Sequence, residues 1–163
     1  MSRTATVLSK ARLRQHLDAA RQRLFESITG LTEEQMRRRP DEGEWSVAEV
    51  LAYLPVSERR LTAQARALCT QPGNTVEPLS EEERTEGAAR GRRLPPPALI
   101  HDLVAARWET TSFLEGLGAH EMSRSGRHPD LGELTVARTL DAISARETEL
   151  VAQIGSIRRA LGV

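Results

Sequence analysis

One acidic residue interrupts an otherwise apolar face near the end of the chain. Glu147 stands where the three- and four-residue spacing of a helix places a core side chain. The other members of this face are apolar: Val136, Leu140, Ile143, Leu150, Ile154, Ile157 and Leu161. A buried carboxylate needs a partner or must take up a proton, because its desolvation is costly. Glu147 is therefore the first candidate for a polar site inside the fold.

Side chains on other predicted helices are available as partners. Arg107 borders the apolar face of its helix and is the preferred partner of Glu147, and Arg146 is the second choice. Glu58 lies about one turn from Tyr53 on a further helix. We expect that Arg146, Arg107 and Tyr53 could hold a small polar or anionic ligand. Alternatively, Glu147 tilts to the bundle edge, or pairs with one arginine for structural reasons only.

The histidines and the cysteine form no recognisable catalytic motif. The four histidines lie on different segments, and none is three or four residues from another: His16, His101, His120 and His128. A catalytic first-row metal needs about three converging imidazole or carboxylate ligands. Cys69 is the single cysteine, so no intramolecular disulfide can form, and no neighbouring histidine would activate its thiol. We expect ordinary surface histidines and a buried, inert thiol; the catalytic residues, if any, stay unknown.

Four long amphipathic segments carry these residues. Apolar spacing predicts helices over about 6–29, 47–70, 95–116 and 135–161. No alternation typical of a β-strand is visible. The pattern predicts an all-α four-helix bundle, because each helix has one apolar face to bury.

The connections predict how the helices follow one another. The segment 71–97 is rich in proline, glycine and charge and is long enough for a crossover between the second and third helices. The linkers 30–43 and 118–132 are shorter, which suits two hairpin-like antiparallel pairs. Capping boxes at 32–35 and 80–83 predict short surface helices inside two of these connections.

The start of the second helix is specified in detail. Ser46 can accept a hydrogen bond from the backbone N–H of Glu49, while the Glu49 carboxylate reaches back to the backbone N–H of Ser46. Trp45 can pack onto Val50 from outside the cap. This segment therefore predicts a complete helix N-terminus.

Length and charge limit the possible function classes. The chain has 163 residues, which is about one domain, 1–163. Lysine plus arginine and aspartate plus glutamate number 23 each, so no net charge attracts nucleic acid or an anionic membrane. A charged start without a long apolar run argues against a signal peptide or membrane span. We expect a cytoplasmic protein that binds neither nucleic acid nor membrane.

Two sequence runs match one family pattern in order and spacing. The run 43–54, GEWSVAEVLAYL, is similar to G-x-W-S-x-x-E-x-x-x-H-L, and the run 145–154, ARETELVAQI, is similar to A-H-E-x-x-H-x-x-Q-I. These patterns belong to the second and fourth helices of the DinB/YfiT-like superfamily, which the chain resembles. Similar pieces at 30–35 and 128–136 extend the resemblance over nearly the whole chain.

The resemblance implies a four-helix bundle and a site where three histidines hold a metal. In this chain Tyr53, Arg146 and Leu150 stand at the three histidine positions. An arginine has only donors and a positive charge, and a leucine has no ligand atom. We therefore expect a degenerate member without metal or cofactor. The expected pocket residues are Tyr53, Glu58, Arg107, Arg146, Glu147 and Leu150.

Two function hypotheses follow. The leading one is a metal-free, non-catalytic bundle that binds a small molecule or a protein partner, with a homodimer as one option. The alternative is an enzyme with an altered active site, because some superfamily members are thiol-cofactor-dependent transferases or isomerases. A cofactor-sized polar cavity at Tyr53 and Arg146 would favour binding or catalysis. A pocket filled by Leu150 and its neighbours would favour a structural or interaction role.

Overall fold

The computed structural model describes residues 8–163, and helices dominate this part of the chain. The helices are α1 (Lys10–Ile28), α2 (Glu33–Arg37), α3 (Val47–Thr70), α4 (Glu81–Ala89), α5 (Pro96–Glu115), α6 (Ala119–Met122) and α7 (Val136–Leu161). A 3₁₀ turn spans Arg90–Arg92, and two short strands are β1 (Ser125–His128) and β2 (Gly132–Thr135). The predicted start of the first helix at residue 6 lies outside the described residues.

The long helices α1, α3, α5 and α7 form a four-helix bundle, as predicted. The second predicted helix matches α3 at both ends, and α7 begins one residue after the predicted start. The predicted capping box is present: the Glu49 amide donates to Ser46 Oγ at 3.2 Å, and the Ser46 amide donates to Glu49 Oε1 at 3.3 Å. Trp45 packs against the core cluster that contains Val50. Local chemistry thus fixes where α3 begins.

The helix pairing differs from the predicted pair of hairpins. The α1 helix packs mainly on α7, and α3 packs on both α7 and α5. The contacts His16–Asp141 and Arg21–Glu147 both pair residues whose numbers rise together along α1 and α7, so these neighbours are parallel. The pairs Glu58–Arg107 and Thr62–Thr110 show that α3 and α5 are also parallel.

Parallel neighbours explain the long crossover between α3 and α5. The chain leaves α3 at one end of the bundle and must return to the other end before α5 can begin. The segment 71–95 makes this return and carries α4 on the way. Consecutive long helices are therefore not hairpin partners, and linker length alone misled the sequence-based prediction.

A β-hairpin in the connection before α7 was not predicted. Strands β1 and β2 pair antiparallel, with Ser125 opposite Thr135. The Arg127 amide donates to the Asn74 carbonyl at 2.9 Å, and the Val76 amide donates to the Arg127 carbonyl at 2.8 Å, so the hairpin also holds the start of the crossover. Each strand has only four residues and no apolar alternation, which explains why the sequence pattern did not show them.

The core consists of two apolar clusters, one toward each end of the bundle. One cluster joins the C-terminal part of α1, the N-terminal parts of α3 and α5 and the C-terminal part of α7; it includes Leu24, Leu51, Leu103 and Ile154. The other joins the opposite ends of these helices and includes Leu17, Leu68, Leu114 and Leu140. A charged layer lies between the two clusters and is described below.

The 3₁₀ turn approaches the backbone of α3 so closely that only glycine fits at position 91. A Cβ on Gly91 would overlap the carbonyl oxygen of Ala48 and lie 2.6 Å from Cα of Glu49. Because both are backbone atoms of a helix, they cannot move aside as a flexible side chain would. This contact seats the crossover on the first turns of α3.

We expect Gly91→Ala to lower the free energy of unfolding by about 1–3 kcal/mol, because the added methyl group overpacks a rigid contact. Gly155→Ala is the matched control. Gly155 lies inside α7, where a Cβ would meet only the Arg159 side chain at 3.6 Å, so a gain of up to about 1 kcal/mol is expected. Urea unfolding of both variants measures the difference. Equal effects of the two substitutions would contradict the close backbone contact.

Candidate functional site

Each of the four bundle helices contributes one charged side chain to the centre. Arg21 comes from α1, Glu58 from α3, Arg107 from α5 and Glu147 from α7. Their side chains are only 2–11% exposed. We call these four residues the charge quartet. Two positive and two negative groups make it neutral as a unit.

Each carboxylate of the quartet binds both guanidinium groups. Arg21 Nε donates to Glu147 Oε1 at 2.6 Å, and Arg107 Nη2 donates to Glu147 Oε2 at 2.6 Å. Arg107 Nε donates to Glu58 Oε1 at 2.8 Å, and Arg21 Nη2 donates to Glu58 Oε2 at 3.3 Å. The predicted Glu147–Arg107 pair is therefore present, whereas a Glu147 half-solvated at the bundle edge is not what the structure contains.

The quartet also joins α1 to α5 through the backbone. Arg21 Nη1 donates to the Leu103 carbonyl at 3.0 Å, and Arg107 Nη1 donates to the Leu17 carbonyl at 2.9 Å. Leu103 lies one helical turn before Arg107 on α5, and Leu17 lies one turn before Arg21 on α1. Each arginine therefore binds the backbone next to the other arginine. The α1 and α5 helices pack sparsely elsewhere, and these two side chains span the gap between them.

Hydroxyl groups complete the network around Glu58. Thr110 Oγ1 lies 2.8 Å from Glu58 Oε1 and 3.0 Å from Thr62 Oγ1. Burial alone would lower the pKa of Arg107, but the charges and hydrogen bonds of Glu58 and Glu147 outweigh it, so the pKa lies above its ordinary value. Buried charges that are fully paired in this way are stable as a group, but costly to break.

The sequence analysis missed Arg21. This residue lies four positions after Leu17 and three before Leu24, so it falls on the apolar face of α1 as Glu147 does on α7. The spacing signal was present, but an arginine near a core face is usually taken to extend to solvent. The two buried carboxylates required a second cation, and this requirement points to Arg21.

The three positions equivalent to the family histidines do not converge on a polar centre. Tyr53 is 2% exposed and packs its ring 5.2 Å from that of Trp45. Leu150 is buried in the apolar cluster of one bundle end. The Arg146 side chain is 43% exposed and lies 3.9 Å from Glu149, so it is not the partner of Glu147. Phenol, guanidinium and isobutyl groups placed in this way do not fit a divalent metal ion.

Little space remains where the sequence placed a ligand pocket. The cavity between α3 and α7, bordered by Leu54, Glu58, Arg146 and Glu147, has a volume of about 10 Å³. That is about the smallest space that holds one water molecule. A ligand between Arg146, Arg107 and Tyr53 would therefore require these side chains to move, and Arg107 would have to give up bonds within the quartet.

The other potential metal and thiol groups are also accounted for. Among residues 8–163, no three histidine, cysteine, aspartate or glutamate side chains are grouped so that they could hold a metal ion. His16 pairs with Asp141 at 2.7 Å. Cys69 is buried, and its burial raises the pKa of the thiol, which opposes formation of the thiolate.

A third buried carboxylate, Glu49, lies at the N-terminus of α3. Glu49 is 1% exposed and accepts hydrogen bonds from Arg39 Nε at 2.8 Å and Nη2 at 2.7 Å, with Arg92 Nε at 3.3 Å. Burial alone would raise the pKa of Glu49, but the hydrogen bonds from Arg39 and Ser46 and the charges of Arg39 and Arg92 outweigh it. The pKa of Glu49 therefore lies below its ordinary value.

The family is decided by the sequence match over most of the chain. Residues 16–147 match the model of the DinB superfamily. The chain belongs to the DinB superfamily. The match includes all of α3 with its capping box, all of α5, parts of α1 and α7, and Glu147 at its end.

Solved DinB-type structures share this fold. YfiT from Bacillus subtilis, described as a probable metal-dependent hydrolase with an unusual four-helix bundle topology, aligns with a TM-score of 0.79 at 19% identity, over 99% of this chain and 93% of that one. The mycothiol-dependent maleylpyruvate isomerase aligns with a TM-score of 0.70 at 17% identity, over 88% of this chain and 60% of that one.

A third solved structure has a nucleic-acid ligand. The colibactin self-resistance protein ClbS, solved in complex with double-stranded DNA, aligns with a TM-score of 0.71 at 14% identity, over 95% of this chain and 98% of that one. At these levels of identity the three likenesses establish the shared fold and do not transfer an activity.

We expect Glu147→Gln and Arg107→Met each to lower the free energy of unfolding by about 3–5 kcal/mol, because each leaves buried charge unpaired. The double variant should cost clearly less than the sum of the two, since Arg21 and Glu58 can still pair. Glu149→Gln is the matched control on the same helix: its side chain is 70% exposed, and an effect below about 0.5 kcal/mol is expected. Urea unfolding measures all four proteins; additive, near-zero effects would contradict the quartet.

The low pKa of Glu49 predicts a pH-dependent stability. A carboxyl whose pKa is lower in the folded state stabilises the fold above its unfolded pKa, and this contribution is lost as the pH falls through the folded pKa. Glu49→Gln should therefore be less stable than the unmodified protein at about pH 7, with a difference that shrinks toward about pH 3. Glu42→Gln, at an exposed position, is the control. Urea unfolding across this pH range would refute the assignment if the Glu49 difference stayed constant.

Proposed function

We propose that this protein is a metal-free, non-catalytic member of the DinB superfamily that binds a small polar or anionic molecule or a protein partner. The observation that carries the proposal is the chemistry of the three family ligand positions. Tyr53, Arg146 and Leu150 offer no set of lone pairs for a metal ion, and Arg146 adds a positive charge.

The charge quartet supports this proposal. It occupies the layer next to the three ligand positions, and its donors and acceptors are taken up by one another and by backbone carbonyls. A catalytic acid or base needs to reach a substrate and exchange a proton with it. Glu58 and Glu147, held by two arginines each, are poorly suited to that task and well suited to hold the helices together.

The ligand contacts remain the open part of the proposal. The predicted contact set is Tyr53, Glu58, Arg107, Arg146, Glu147 and Leu150. Three of these residues, Glu58, Arg146 and Glu147, line a cavity of only about 10 Å³, so a ligand in direct contact with the quartet would require the bundle to open. A ligand held outside the quartet layer requires no such opening.

The alternative function is that of an enzyme with an altered active site. This enzyme would be a thiol-cofactor-dependent transferase or isomerase. The similarity in fold to the mycothiol-dependent isomerase favours this alternative. This chain spans 60% of that enzyme's chain, so an equivalent activity would have to be carried by the shared bundle. Bound metal in the purified protein would put this alternative first.

Other expected partners stay predictions. If the protein binds a protein partner, a second copy of this chain in a homodimer is one option. Balanced charge still predicts no nucleic-acid partner, although ClbS shares the fold and binds DNA. Within residues 8–163, no helix combines the length and apolar character needed to cross a membrane. A single domain over 1–163 and a cytoplasmic location are likewise predictions.

We expect the purified protein to carry no stoichiometric zinc, nickel or iron, and chelators to leave its melting temperature unchanged. The reason is the loss of all three imidazoles from the family positions together with the charge of Arg146. Elemental analysis by mass spectrometry and thermal melts with and without a chelator make the measurement.

A gain-of-function variant provides the converse test. The triple change Tyr53→His, Arg146→His and Leu150→His should restore a metal site if these helices keep the family geometry. The matched control is the triple change Leu54→His, Arg146→His and Leu150→His. It adds the same number of histidines, but the histidine on α3 is shifted by one position. One equivalent of metal bound tightly to the unmodified protein would overturn the proposed function.

A further inference from the structure

An open groove lies beside Trp45 and Arg84. It has a volume of about 400 Å³ and runs between the start of α3, the side of α4 and the C-terminal third of α7. Trp45 and Arg84 form one wall, and Gln153 and Ser156 form the other. The groove is thus large enough for a small molecule, unlike the cavity at the quartet.

Arg84 has hydrogen-bonding capacity that the described residues do not use. Its Nε is buried and has no hydrogen-bond partner among residues 8–163. Its closest carboxylate oxygen, on Glu81, is 4.0 Å from Nη1, which is too far for a hydrogen bond. The Arg84 side chain as a whole is 41% exposed, so its terminal Nη1 and Nη2 groups, unlike the buried Nε, are open to an acceptor brought by a ligand.

Aromatic rings hold Arg84 at the groove. Its guanidinium lies 5.7 Å from the centre of the Tyr53 ring, within the range of a cation–π contact. The Trp45 ring also packs on Tyr53, with the ring centres 5.2 Å apart and the ring planes tilted by 57°. Trp45 is only half-buried, so part of its indole surface faces the groove. The site therefore pairs a cation with an exposed aromatic surface.

We propose that this groove binds a small aromatic monocarboxylate, with its carboxylate on Arg84 and its ring against Trp45. The planar guanidinium matches a carboxylate with two parallel hydrogen bonds, and the indole offers contact to a flat ring. Glu44 lines the groove as well and disfavours a ligand with a second negative charge. The inference rests on the proposed function, since it specifies the ligand class and its location.

Benzoate is a suitable probe, and Trp45 is a built-in reporter. The chain has two tryptophans, and the other, Trp108, is 70% exposed, so Trp108→Phe leaves Trp45 as the single tryptophan. In this background we expect benzoate to change the Trp45 fluorescence in a saturable way. The neutral isostere benzamide should bind at least tenfold more weakly, and phthalate, with a second carboxylate, should also bind more weakly.

Substitution of Arg84 tests the contact directly. Arg84→Gln should weaken benzoate binding at least tenfold and leave benzamide binding unchanged, while Arg84→Lys should retain part of the preference. Arg93→Gln, an exposed position in the same connection, is the matched control and should bind benzoate as the parent does. Circular dichroism verifies that each variant is folded, and the benzoate–benzamide comparison needs no Arg84 variant at all.

The outcomes separate this inference from the proposed function. Equal binding of benzoate and benzamide, no binding of either, or an unchanged affinity in Arg84→Gln would overturn the aromatic carboxylate site. If the same sample contains no stoichiometric metal, the metal-free proposal still stands after such a failure. If it contains stoichiometric metal, the proposed function fails, whatever the benzoate titration gives.

Discussion

The structure depends on the neutralisation of four charges in the middle of a helical bundle. Glu58 and Glu147 are tolerated in the interior only because Arg21 and Arg107 both reach them. Each helix supplies one member, so the charges balance only when all four helices are in place. The apolar clusters on either side are built from leucine, isoleucine and valine, whose contacts are less directional. The quartet is therefore the part of the core that fixes how far each helix is shifted along its neighbours.

The quartet also bears on the relation between this chain and YfiT, which is described as a probable metal-dependent hydrolase. A metal ion joins helices by drawing ligands from several of them to one point. In this chain Tyr53, Arg146 and Leu150 stand where the resemblance implies three histidines, and arginine–glutamate pairs join the four helices. Under the proposed function, this charge pairing takes the place of a metal ion in joining the helices. A binding site that is independent of metal can then lie in the adjacent groove, where Arg84 and Trp45 meet.

The sequence predicted the local structure better than the pairing of helices. The capping box of Ser46 and Glu49 involves residues three apart, so it could be identified from the sequence and has the expected contacts. The burial of Glu147 and its pair with Arg107 followed from the cost of an unpaired carboxylate. The parallel neighbours were missed, because an apolar face shows that a helix is buried but not which helix covers it. The burial of Arg21 was missed because the cost of burying a guanidinium depends on its hydrogen-bond acceptors, and those of Arg21 come from three other helices.

The parallel arrangement of α1 and α7 determines how the bundle bears mechanical load. Lys10 begins α1 at one end of the bundle, and Leu161 ends α7 at the other; the 26 residues of α7 span about 39 Å. A pull on these two ends draws adjacent helices past each other along their length, which is shear. The contacts His16–Asp141, Arg21–Glu147 and Arg158 with the Ser27 carbonyl are then stretched together. In an antiparallel hairpin pulled from its two ends, such contacts would instead open one after another.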